Sequence, residues 1–225
     1  MTFRKEVAEQ AAAGYREVSA YFADVRSFYE VLAVRLAAGE YGVSLVSVDH
    51  QQLFSSTDSY ALSGSMATKA TLSPGSCPPY IWFPTWLGSF YVDERRTRDD
   101  AALMAFVWIW IGADDAYVAD SGTPECWFGV VRVKAGDGGS AEIIANKIWR
   151  FFRVEWTTTA ELDDWLTGSF HQNGIGCDLD GLWYMRRVPL SGLSSYYLVE
   201  KQLIRPLCEK YHHLIAHGTD HPEIA

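Results

Sequence analysis

"AALMAFVWIWIG", residues 101–112, is apolar at every position but its closing glycine. Twelve residues are too few to cross a bilayer as a helix. Phe106, Trp108 and Trp110 share one parity, and Val107, Ile109 and Ile111 share the other. An extended chain sends alternate side chains to opposite faces, so this segment is apolar on both. That is the pattern of a central strand covered on both sides, and it predicts a sheet with two packed faces.

The flanks extend the sheet. "DERRTRDD", residues 93–100, and "ADDAYVADSGTP", residues 113–124, are polar turns. Beyond them lie "YIWFPTWLGSFYV", residues 80–92, interrupted by Pro84 and Gly88, and "ECWFGVVRVK", residues 125–134. Three strands joined by short polar turns predict an antiparallel meander. "VSLVSV", residues 43–48, alternates branched residues with Ser and predicts a further strand. Residues 51–79, rich in Ser, Thr, Gly and Pro, predict a long loop, a candidate lid or binding loop.

Residues 3–38 carry a helical stripe of Val18, Phe22, Val25, Tyr29, Leu32 and Leu36, with Thr2 as a candidate cap and Gly39 as a stop. Gly14 weakens its first third. The stripe suits packing on the chain's own sheet. Its four-and-three spacing also suits a second copy, and so a homodimer through this helix.

After the meander the pattern predicts a tight turn at "AGDGGS", residues 135–140, and a helix over 141–152. A short helix over 159–167 follows, capped by Thr159 and ended by Gly168. "HQNGIGCDLDG", residues 171–181, predicts a loop and "LWYMRRVPL", residues 182–190, a strand. From Ser194 the pattern is helical, and Pro206 either kinks it or opens a new helix to His217. The expected fold is a single α+β domain over 1–225. It has a helical segment at 1–39, a strand-rich core at 43–134, and helices with one further strand at 141–217. A central antiparallel sheet carries the N-terminal and C-terminal helices.

Composition narrows the function. The net charge of −9 argues against a nucleic-acid surface, which needs an excess of Lys and Arg. It argues equally against attraction to anionic membranes, and it suits a basic protein partner. Nine Trp, twelve Tyr and eleven Phe imply an aromatic-packed core, or strands that hold a small ligand. Cys77, Cys126, Cys177 and Cys208 form no Cys-x-x-Cys pair, and the N-terminal stretch has no apolar run of a signal peptide. A cytoplasmic location with reduced thiols is expected.

The motifs exclude more than they establish. Gly136, Gly138 and Gly139 form a possible anion-binding turn, but no Gly-Lys-Ser/Thr follows and the spacing is not a dinucleotide fingerprint. "CDLDG", residues 177–181, lacks the later ligands of a calcium loop. No Gly-x-Ser-x-Gly elbow exists. Acids cluster without Lys or Arg between Arg98 and Arg132, where Asp114, Asp115 and Asp120 make a possible acidic site. A second acidic zone lies between Arg153 and Arg186. On the last helix Glu209, His213 and His217 recur every four residues, so all three share one face and could hold a divalent metal. Two functions remain open. One is a soluble binding or accessory protein. The other is a metal-dependent hydrolase using these histidines with clustered acids.

Overall fold

The structure is a computed structural model that describes residues 5–48, 54–55, 86–94, 103–110, 124–133, 157–162, 164–174 and 177–217. It opens on a 33-residue helix, α1 (Lys5–Ala37), closed by Gly39 at φ 74°. That left-handed conformation suits glycine at a helix end, as the sequence leads one to expect. The second half of α1 carries its fully buried residues, and Tyr21 packs partly against the same core. Val25, Tyr29, Leu32 and Leu36 are buried, whereas Val18 is half-buried.

Among the described residues eight strands follow, all paired antiparallel: β1 (Leu45–Ser47), β2 (Phe54–Ser55), β3 (Trp86–Asp93), β4 (Leu103–Trp110), β5 (Glu125–Val133), β6 (Thr157–Leu162), β7 (Trp165–Gly174) and β8 (Cys177–Pro189). Their order across the sheet is β1-β3-β4-β5-β8-β7-β6, with β2 also on β3. The expected meander β3–β4–β5 is present. A second meander, β6–β7–β8, joins it through the β5–β8 pairing. β4 is central and every one of its residues is buried.

The second meander corrects the sequence reading. Residues 159–162 and 165–167 belong to β6 and β7 rather than to a helix, and residues 171–174 and 177–181 are paired strand of β7 and β8 rather than loop. Three strands therefore stand where one was expected. The physical reason is visible locally. Thr157, Thr158 and Thr159 favour extended backbone. Asp164 supplies the turn at φ 64°, a conformation that Asp tolerates better than most residues. Beyond it the side chains alternate, with Trp165 in the cluster on one face and Phe170 in the cluster on the other. The predicted helix over 141–152 and the Thr2 cap lie outside the described residues, as does nearly all of the 51–79 loop.

The chain ends in a 3-10 turn (Leu190–Leu193), a short α2 (Tyr196–Val199), a π-helical turn (Glu200–Ile204) and α3 (Arg205–His217). Pro206 explains the junction. Its ring would collide with the carbonyl four residues back in a regular helix, and the wider π turn relieves that contact. Accordingly the Arg205 N–H donates to the Glu200 carbonyl, five residues back, and a new helix opens at the proline.

One face of the sheet is covered by α1 and α3. Its core joins Tyr29, Leu32 and Leu36 with Val107, Ile109, Phe128 and Val130, and with Leu207, Tyr211 and Leu214. Two tyrosines also tie the helices to strand backbone. The Tyr29 hydroxyl is shared between Leu87 O at 2.8 Å and Val107 O at 3.0 Å. The Tyr211 hydroxyl donates to Leu103 O at 3.0 Å and accepts from Asp93 N–H at 3.2 Å. Each buried polar group so satisfied avoids a desolvation cost of about 1–3 kcal/mol.

Candidate functional site

The other face of the sheet is where sequence and geometry concentrate. Its cluster comprises Phe90, Met104, Phe106, Trp108, Trp110, Trp127, Val131, Val133, Phe170, Trp183 and Met185, every one from a strand. No described helix contributes to it. Rings contact along β3, β4 and β5. Phe90 meets Trp108 edge-on at 5.4 Å, Phe106 lies 5.1 Å from Trp108, and Trp110 lies 5.0 Å from Trp127. Such pairs add about 0.5–1.5 kcal/mol each beyond the area they bury.

Three glycines shape this face. A Cβ at Gly88 would fall 1.7 Å from Trp108 Cδ1, so that ring lies directly on the glycine. At Gly129 a Cβ would fall 1.9 Å from the backbone oxygen of Tyr184, and at Gly181 it would fall 2.4 Å from that of Arg132. In a flat sheet the neighbouring strand runs about 4.8 Å away. Backbone this close to the path of a side chain means that β5 and β8 bend toward this face. The face is therefore concave along that seam. An isolated glycine in a strand pattern is the sequence mark of such a bend. Gly129, between Phe128 and Val130, is such a glycine.

Polar groups edge the aromatic face at one end. Trp127 Nε1 donates to Glu125 Oε2 at 2.8 Å, and the Arg187 guanidinium lies 5.5 Å from the centre of the Trp127 ring. Glu125 faces Trp110 across the strand pair, and Arg187 faces Trp127. One positive and one negative side chain thus flank one end of a buried apolar cluster.

The sequence-predicted metal ligands lie elsewhere. Glu209 and His213 are exposed on α3, opposite the buried stripe of Leu207, Cys208, Tyr211 and Leu214. His217 closes that helix, and its side chain lies outside the described residues. Among the described residues, no group of three His, Cys, Asp or Glu is placed to hold a metal ion. Cys208, on the buried side of α3, has its thiol pushed up to about 12 by desolvation. His212 leans on the loop after α1, where a Cβ at Gly42 would fall 2.7 Å from His212 Nδ1. Asp114, Asp115 and Asp120, and the turn at Gly136, Gly138 and Gly139, lie outside the described residues. From the second acidic zone, Asp164 is engaged by Arg186, whose Nη2 donates to its carboxylate at 2.8 Å.

A polar cluster not anticipated from sequence joins α1 to the C-terminal helices. Glu200, in the π turn, accepts from the hydroxyls of Tyr41 and of Tyr196, the latter at 3.2 Å. Arg35 bridges Glu40 at 2.7 Å and Glu200 at 3.6 Å. The hydrogen bond to Glu200 raises the Tyr41 pKa, so the phenol stays protonated. Every oxygen of Glu200 is occupied within the chain, which makes this a clasp between segments.

Comparison with protein-family models, with curated proteins and with solved structures finds no match for this chain. No helix among the described residues is long and apolar enough to cross a membrane.

Proposed function

We propose that the protein is a soluble, cytoplasmic binding protein that holds a small planar apolar molecule against the strand-built aromatic face. One observation supports this reading: among the described residues the helices pack on one face of the sheet, and the other face buries Trp108, Trp110, Trp127 and Trp183 in a cluster drawn from strands. A concave, largely apolar surface with a few convergent polar groups is the usual form of a small-ligand site. Glu125 and Arg187 supply opposite charges at its edge for orienting a polar substituent. The free thiols of Cys126 and Cys208 agree with a reducing compartment.

Tryptophan emission of the full chain tests this, with indole and 1-anilinonaphthalene-8-sulfonate as probes. Saturable quenching is expected with at least one of them. Trp127→Ala should weaken it roughly tenfold, as loss of about 1.4 kcal/mol of stacking implies. No saturable change with either probe at millimolar concentration, on folded protein, would sink the proposal.

A metal-dependent hydrolase on α3 is the second reading, favoured by the exposure of Glu209 and His213 one helical turn apart. Zinc uptake by the purified protein decides it.

A further inference from the structure

Arg132 is the next-to-last residue of β5. It shares its parity with Phe128 and Val130, so its side chain turns to the helix-covered face of the sheet. Leu103 of β4 and Leu182 of β8 stand opposite it on either side, the first buried in that apolar core and the second packed against it. Arg132 is partly exposed as a residue, but its Nη1 is buried, and among the described residues no hydrogen-bond acceptor meets it. Asp180 lies on the same face, two residues before Leu182, yet its carboxylate does not reach Nη1. By contrast, Arg35 bridges Glu40 and Glu200, and Arg186 bridges Asp164.

A buried charged donor without an acceptor is among the costliest groups a fold can hold. Lysine or histidine could escape that cost by losing a proton, but a guanidinium keeps its charge. A strand position between two leucines would be filled at less cost by Met or Leu. We propose that the Arg132 guanidinium is the anchor of a binding site for a small oxyanion, a phosphate or carboxylate group. Its parallel N–H bonds match two oxygens of such a group. The leucine walls and the depth of Nη1 restrict the site to a small group or to the anionic end of a larger molecule. A second positive charge stands one register step away. Tyr184 pairs with Val130, and Lys210 Nζ lies 4.6 Å from the centre of the Tyr184 ring. The chain as a whole carries a net charge of −9, so its overall field repels anions, and saturable anion binding reports a local site.

This site is separate from the aromatic face, which lies on the opposite side of the sheet. Isothermal titration calorimetry of the full chain with inorganic phosphate, and separately with acetate, tests it at constant ionic strength in chloride. Saturable binding of at least one anion is expected, with a dissociation constant of roughly 1 mM, as two charge-assisted hydrogen bonds imply. Arg132→Met removes the charge from an apolar setting, so it should fold and should abolish the binding. Arg132→Lys keeps a charge without the fork and should weaken binding about tenfold, which reads the site even if the Met variant does not fold. No saturable heat with either anion, or binding that survives unchanged in Arg132→Met or in Arg132→Lys, would overturn the proposal.

Discussion

Gly129→Ala adds one methyl group at the seam where the two meanders meet. The new Cβ would lie 1.9 Å from Tyr184 O, 2.9 Å from Met185 Cα and 2.9 Å from Phe106 Cζ. The phenyl ring can give way, but the first two atoms belong to the backbone of β8, which is paired to β5 through nine residues. Relief therefore requires the strands to part locally. Overpacking of a rigid core costs about 1–3 kcal/mol, and one or two weakened ladder hydrogen bonds add about 1 kcal/mol each. A loss of about 3 kcal/mol corresponds to a fall in Tm of roughly 6–12 °C in a domain of this size. Gly14→Ala is the matching control. The same methyl group there meets nothing within 4 Å and replaces glycine inside a helix, so helicity at 222 nm should rise and Tm should not fall. Thermal denaturation followed by circular dichroism measures both. If Gly129→Ala melts within 2 °C of the parent, the sheet does not bend toward the aromatic face as argued.

Two further outcomes follow from the same geometry. Burial raises the pKa of Cys208 to about 12 and pushes Cys126 and Tyr29 up as well. A raised folded-state value means stability that is whole below the unfolded value, about 8.5 for a thiol, and is lost as pH climbs toward the folded one. Each thiol then removes roughly 1.4 kcal/mol per pH unit, so Tm should fall by about 10 °C between pH 8.5 and 10. A flat profile across that window would contradict the burial. Zinc presents the other case: if Glu209, His213 and His217 form a site, Tm rises with zinc in the parent and not in His213→Ala, and unchanged melting in both removes the hydrolase.

The legible parts of the fold are those in which one pattern had no rival. β4 reads correctly because residues of both parities are apolar, which no amphipathic helix allows, and its neighbours follow from the turns that bound it. α1 reads correctly because its stripe runs too long to be chance. Residues 157–174 fail because Leu162, Trp165, Leu166 and Phe170 satisfy three-and-four spacing while the same chain satisfies alternation. Only pairing with β8 decides between them. Glu200 is illegible for a different reason. Tyr196 lies one turn away, but Arg35 and Tyr41 are brought to it by helix packing across more than 150 residues, and nothing local marks those two.

The same logic separates the two candidate sites. The histidine stripe was conspicuous because a helix displays spacing in sequence. The aromatic face was diffuse, since its members are spread from Phe90 to Met185 and meet only through strand register. A sheet with both faces apolar must cover both, and the described helices serve one. Trp108 and Trp183 are nonetheless fully buried on the other, and the Trp108 ring lies directly on Gly88. A core needing only to exclude water could be filled with Leu and Val at less cost in specific ring geometry. Four indoles in one strand-built cluster, edged by Glu125 and Arg187, are the feature on which the proposed binding of a flat apolar ligand rests.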